Sequence, residues 1–270
     1  MSRSNWSSEK ILQRLQLNKT KTTYWDNIQE LRNRPDEEIF QKVYDFSQSE
    51  NRKKRIIGID VLAQLGPGRP YYKQNIELFF NLLGNEKDND VLISLLYAIG
   101  HNNDYLHANE IKKMANFKSV DNAAVRKALV FALLGVDDEL AIDVLIELST
   151  DKSSEVRSWA TFGIGSQVEV DNDKIREALW NRVNDKDQET KLEAIVGLAE
   201  RNDLRVKEVI KRELIDGEYG KILFEAIELI HGVEFIPLLK NNLSSGKNTS
   251  GVEAEWLKDL EELIAKLENK

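Results

Sequence analysis

An all-α solenoid is the fold class this sequence predicts, and three observations predict it. The first is a repeat. Lys54-Arg55-x-x-Gly58-x-x-Val61-Leu62 is matched by Val91-x-x-x-Leu95-x-x-Ala98-Ile99-Gly100 and by Val125-Arg126-x-Ala128-Leu129-x-x-Ala132-Leu133. Val156-Arg157-x-Trp159-Ala160-x-x-Gly163-Ile164-Gly165 and Thr190-Lys191-x-x-Ala194-x-x-Gly197-Leu198 continue it. The copies start at 54, 91, 125, 156 and 190, so the period lies between 31 and 37 residues. Such a period marks stacked units, each unable to bury its apolar face without a neighbour. The second observation is that apolar residues recur at helical spacing, while strand-like alternation is sustained nowhere. The third is composition: 41% hydrophobic, 31% charged and only 4 Pro in 270 residues suit an ordered helical chain rather than a disordered one.

The elements follow in order. Residues 1–34 precede the array as capping helices around Ile11–Leu15 and Tyr24–Leu31, and residues 35–270 form one continuous array. A second amphipathic segment precedes each repeated one, with Asp, Asn and Ser clusters between them. Ile142, Val144, Leu145 and Leu148, for example, lead into Thr150-Asp151-Lys152-Ser153-Ser154. This reads as helix, turn, helix, with the turn residues capping the second helix.

The predicted pairs are 36–48 with 50–65, 72–84 with 89–101, 105–117 with 121–135, and 138–149 with 153–167. They continue as 172–183 with 187–200, 203–216 with 218–231, and 234–244 with 250–268. Gly68-Arg69-Pro70-Tyr71-Tyr72 reads as a loop, and the Ser/Gly/Asn-rich stretch 244–251 as the most flexible linker. The charged face around Glu255, Lys258, Glu261 and Glu262 suits a terminal cap.

Composition also excludes function classes. No cysteine is present, which rules out disulfides, thiolate metal sites and a cysteine nucleophile. No apolar run approaches the roughly 18–20 residues of a membrane span, and the N-terminus carries no apolar leader, so a cytoplasmic location is expected. A net charge of −8 disfavours a large phosphate-contacting surface, so nucleic acid is a poor partner and a basic protein a better one.

The Asp-x-x-x-x-Val-Arg-x-x-Ala signature at Asp151–Ala160, with weaker copies at 121–129 and 187–194, resembles HEAT repeats of the short bacterial kind. The resemblance covers roughly 50–235 and implies a right-handed α-α superhelix of about seven helix pairs, HEAT-like in its stacking. It also implies that Arg126, Asp151, Arg157, Asp187 and Lys191 are structural: the turn Asp and the helix Arg link adjacent repeats as a ladder. Leu92 lacks the basic residue, and Lys54 and Thr190 lack the apolar one. The ladder is expected to break there, and 67–90 to pack irregularly.

Candidate functional residues lie six positions after the start of each repeat, a row that in HEAT-like helices faces the inner solvent side. It reads Asp60, Tyr97, Phe131, Phe162 and Val196, with Trp159 one turn before Phe162. Three aromatic residues from successive repeats make a binding stripe, or else thicken the core. Asp60, Asp137-Asp138-Glu139, Glu193 and Glu200 either steer a basic partner or are ordinary solvated faces.

His101, His107 and His231 match no metal-ligand spacing, and no metal or cofactor is expected. His231-Gly232 reads as a helix C-terminus. Gly163-Ile164-Gly165 follows no strand and reads as close helix packing rather than a nucleotide loop. With no nucleophile elbow, phosphate loop or His-Glu-x-x-His, the expected function is non-enzymatic protein binding. Alternatives are an immunity or antitoxin-type inhibitor of a basic toxin, a lyase- or chaperone-like subunit holding a pigment, and a HEAT-like DNA glycosylase using Trp159 and Arg157.

Overall fold

The computed structural model describes residues 3–216 and 219–269. The first residue of the predicted segment 218–231 therefore lies outside the described residues, as do both ends of the chain. Among the described residues every regular element is helical. The chain folds into two compact units, residues 1–141 and 142–270.

Unit 1 begins with α1 (Ser8–Leu17) and α2 (Lys21–Arg32), helices at the two places expected ahead of the repeats. Three pairs follow: α3 (Glu37–Ser47) with α4 (Arg52–Leu62), α5 (Tyr72–Leu83) with α6 (Asn89–Gly100), and α7 (Ala108–Ala115) with α8 (Ala123–Leu133). The second helices form a layer in which α4 packs on α6 and α6 on α8. The core is their inward stripe, including Ile57, Val61, Leu95, Ile99 and Leu129, all fully buried.

The chain then runs through α9 (Glu139–Leu148) to α10 (Ser154–Phe162), which ends in a π-turn over Gly163–Gln167. Next come α11 (Asp173–Trp180), α12 (Gln188–Glu200), α13 (Val206–Asp216), α14 (Lys221–Leu229), α15 (Ile236–Lys247) and α16 (Ala254–Glu268). Within unit 2, α10 packs on α12, α12 on α14 and α14 on α16. The outer face of α16 exposes Glu255, Lys258, Glu261 and Glu262 over a buried stripe of Leu260, Leu263, Ile264 and Leu267.

The turn residues start the helices as their chemistry requires. Asp36, Asn51, Asp88, Asn122, Asn172 and Asp187 each accept a first-turn backbone N–H through the side-chain oxygen. Each such cap is worth about 1 kcal/mol.

Cross-repeat polar links are richer than the signature alone implies. Arg55 donates to Glu86 at 2.9 Å, Arg157 to both oxygens of Asp185, and Lys191 to Glu213 at 2.9 Å. The repeats at Lys54 and Thr190 therefore keep their ion pairs, because the pair is formed by the second position, Arg55 or Lys191, and not by the apolar first one. Asp151 turns its carboxylate to the Ser153 N–H and offers Arg157 its carbonyl at 2.9 Å, while Asp187 caps α12. Arg126 is buried and donates to the carbonyl of Val120 at 2.7 Å.

Other details differ from expectation. Segment 67–90 holds a regular α5, with left-handed backbone at Gly68 and Arg69 ahead of it. The stretch 244–251 is not all linker: α15 continues to Lys247, because Gly246 packs beneath Trp256 and Leu257 of α16. After α14 the left-handed residue is His231 (φ 49°), not Gly232, whose missing Cβ makes room for the Phe235 ring.

Gly165 and Gly197 do serve close packing. A Cβ on Gly197 would lie 2.6 Å from the Cα of Gly165, so the two backbones touch where the π-turn crosses α12. Arg201 donates there to the carbonyls of Gly165, Ile164 (2.9 Å), Val168 (3.1 Å) and Gly197 (2.9 Å). It thereby satisfies acceptors that the π-turn leaves free.

Candidate functional site

In unit 1, α2, α4, α6 and α8 surround an open cavity of about 440 Å³. Its walls are apolar: Trp25 from α2, Ile93 and Tyr97 from α6, and Phe131 from α8. Helical periodicity places them. Ile93 and Tyr97 are one turn apart on α6 and so share a face. Gly100 sets the position of the last ring, since a Cβ there would lie 2.6 Å from Phe131 Cδ1. Tyr97 and Phe131 meet edge to face with centroids 5.0 Å apart, and His101 packs on the far side of Phe131 at 5.3 Å. All three are half-buried, and Trp25 is 43% exposed at the rim.

One acid and one base lie in this wall. Asp60, expected on an exposed inner row, is only 8% exposed, which corrects that expectation. The capping helix α2 lays Tyr24 over it, and the Tyr24 hydroxyl donates to its carboxylate at 2.6 Å. Burial pushes the Asp60 carboxyl up to about 6, against hydrogen bonds from Tyr24 and Ser94 that pull it down. The same burial raises the Tyr24 hydroxyl. Arg32 donates from Nε (3.0 Å) and Nη2 (2.7 Å) to the carbonyl of Asp60, and from Nη1 to Gln64 at 2.5 Å. Its guanidinium also lies 5.8 Å from the centre of the Trp25 ring. His101 is held below its ordinary value by burial and by Arg32.

In unit 2, Trp159 and Phe162 form an edge-to-face pair with centroids 5.7 Å apart. Trp159 is 44% exposed and Phe162 half-buried, whereas Val196, next in the row, is buried. On α12 the half-buried Glu193 is pushed up to about 7, first by burial and then by the carboxylates of Glu225, Glu189 and Glu200. Asp138, by contrast, caps α9 through the N–H groups of Leu140 and Ala141.

The structure thus brings Asp60, Tyr97 and Phe131 to one pocket in unit 1, and Trp159 and Phe162 to one patch in unit 2. Trp25, Arg32 and Ser94 escaped the sequence reading, and His101 entered it only as a rejected metal ligand. Trp25 and Arg32 are seven residues apart on α2, as are Ser94 and His101 on and just beyond α6, so each pair shares a face. That periodicity was available; what was missing was the knowledge that α2 covers α4.

Among the described residues no group of His, Asp and Glu has the arrangement of a metal site, and no helix is long and apolar enough to cross a membrane.

Compared with known proteins, the chain is similar to Protein YibA of Escherichia coli strain K12, with 27% identity over 202 residues, 74% of this chain and 72% of YibA. YibA of Escherichia coli O157:H7 matches to the same extent. An X-ray structure of the E. coli YibA superposes with a TM-score of 0.75 at 22% identity, covering 99% of this chain and 94% of that one. At that identity the likeness bears on the fold alone, the all-helical repeat solenoid described above. No protein-family model matches the chain.

Proposed function

We propose that the protein is a non-enzymatic scaffold that binds another protein through its partly exposed aromatic residues, with the unit 1 pocket as the principal site. The observation that carries this reading is the state of Tyr97 and Phe131. They are neither submerged in the core nor free in solvent, but wall an open cavity whose chemistry is recognition rather than catalysis. Aromatic side chains in such half-desolvated positions supply most of the binding energy at interfaces. The partner is basic. The net charge of −8, with Glu193, Glu189, Glu200 and Glu225 close together on α12 and α14, favours its approach.

The test compares immobilised wild type with Phe131→Asp and Phe162→Asp, each first verified for unchanged helix content. A basic protein retained by wild type, lost with Phe131→Asp and weakened by added salt is the expected result. Equal retention by wild type and both variants would remove the aromatic residues from the site.

A second reading is favoured by the cavity volume: about 440 Å³ falls within the range of small-molecule pockets. A carrier of a pigment or similar ligand would copurify with a chromophore, and a scaffold would not.

A further inference from the structure

The pocket of unit 1 has a selectivity that the overall acidity of the chain does not foretell. Its mouth and walls are carbon-rich, formed by Trp25, Ile93, Tyr97 and Phe131. Only two side chains around it carry charge, Arg32 and Asp60, and they are of opposite sign. Both are already engaged within the wall. The Asp60 carboxylate is buried, with the Tyr24 hydroxyl already hydrogen-bonded to it. The guanidinium of Arg32 is committed through three of its nitrogens to the Asp60 carbonyl and to Gln64. His101, also beside Phe131, is kept towards its neutral form by burial and by the charge of Arg32.

The electrostatic balance is therefore already closed. A cation entering would approach Arg32 and find the one carboxylate covered. An anion would find Asp60 behind a guanidinium with three of its five N–H groups already committed and its charge offset by that same carboxylate. In either case a third charge is desolvated without a partner, which is costly. An uncharged group meets no such cost and gains the burial of its own surface against four apolar side chains. The rim adds polar groups that suit a neighbouring peptide backbone. Among the described residues, the Tyr97 hydroxyl and the indole N–H of Trp25 have no hydrogen-bond partner.

Resting on the scaffold reading above, we infer that this pocket receives an uncharged, largely apolar side chain of the partner protein, an aromatic ring or a branched aliphatic group, and rejects cationic and anionic side chains. The basic character of the partner then acts at a distance from the anchor that enters here: charge brings the partner in, and a neutral group holds it.

The uncharged fluorophore N-phenyl-1-naphthylamine serves as the probe, with capped single amino acids as competitors. N-acetyl-tryptophanamide and N-acetyl-leucinamide are expected to displace it at concentrations about tenfold lower than N-acetyl-argininamide or N-acetyl-aspartate amide. Ile93→Trp, which fills the cavity from its wall, is expected to weaken probe binding by about tenfold or more. Phe131→Leu, which keeps an apolar surface but removes the ring, should weaken it by roughly three- to fivefold. Should Ile93→Trp fail to fold, Phe131→Leu with unchanged circular dichroism gives the same reading.

Displacement by the arginine derivative as readily as by the tryptophan one would overturn the selectivity. So would wild-type probe binding in Phe131→Leu together with that in a folded Ile93→Trp, which would place the probe elsewhere. The two levels fail separately. If the neutral competitors win but protein capture ignores Phe131→Asp, the scaffold reading falls and the pocket's selectivity for neutral groups stands. If capture depends on Phe131 while the arginine derivative wins, the selectivity falls and the scaffold reading stands.

Discussion

Arg157 and Asp185 form a two-point ion pair across 28 residues of sequence, with guanidinium Nε and Nη2 donating to the two carboxylate oxygens at 3.1 and 2.8 Å. The side chains are only 16% and 6% exposed. Burial alone would raise the Asp185 carboxyl, but hydrogen bonds from Arg157 and from the Asp187 N–H hold it below its ordinary value. Removing Arg157 strips two hydrogen bonds from this poorly solvated carboxylate and leaves Arg182, at 3.2 Å, as its ion-pair partner. Arg157→Ala is expected to cost about 3 kcal/mol in urea unfolding. Asn172→Ala, which removes only a cap from α11, should cost about 1 kcal/mol. Equal effects would mean that the pair contributes no more than a surface contact.

Gly197→Ala is the sharper of two glycine tests. The new methyl would sit 2.6 Å from Gly165 Cα, a backbone atom that cannot step aside, whereas a methyl on Gly165 would lie 3.3 Å from Gly197 Cα. Gly197→Ala should therefore destabilise by about 2 kcal/mol or more and Gly165→Ala by less, with the order read from melting temperatures. The reverse order would contradict the close approach of the π-turn to α12.

Asp60 predicts a pH effect whose direction is unusual for a carboxylate. Its folded value, about 6, lies above the ordinary 3.8, so between those values the native state holds a proton that the unfolded chain has released. Its contribution to stability is full below pH 4 and is lost as the pH rises through 6. The shift of about two units corresponds to roughly 2–3 kcal/mol. Asp60→Asn keeps an acceptor for Tyr24 and removes the ionisation. The slope of stability against pH between 4 and 6 should flatten in this variant, and an unchanged slope would assign it to another group.

Asn102 tests the polar seam of unit 1. Its amide donates to the carbonyls of Ala63 (2.8 Å) and Ala98 (2.7 Å), joining the end of α4 to α6 from a fully buried position. Asn102→Ala leaves two buried acceptors short of a donor and should cost about 2–3 kcal/mol by denaturant unfolding. Asn103→Ala, whose amide bonds the carbonyls of Ala132 and Leu134 nearer the surface, should cost less.

Helix positions were legible in the sequence because they depend on local chemistry: a capping oxygen, a run of apolar residues at helical spacing, a polar turn. Each predicted pair from 36–48 onward has its counterpart among the helices, and the capping segments around Ile11 and Tyr24 became α1 and α2. Pairing across repeats was less legible. Arg157 chooses Asp185 rather than either Asp of the signature, because rung partners are decided by where the next turn falls and not by spacing along one helix. The pocket was half legible. Tyr97 and Phe131 came from the register of their own repeats, but Trp25 and Arg32 belong to α2, which carries no repeat, and Tyr24 turned Asp60 from an exposed acid into a buried one.

The bonds of Arg201 also bear on synthesis. The carbonyls of Ile164 and Gly165 are 37 and 36 residues upstream of the guanidinium that satisfies them. A nascent chain released only as far as Glu200 would already contain every residue of the π-turn, yet none of this clasp. The turn after α10 therefore acquires its partner only once the following repeat has left the ribosome. At this one turn, the structure of a repeat is completed by its successor and not by its own residues.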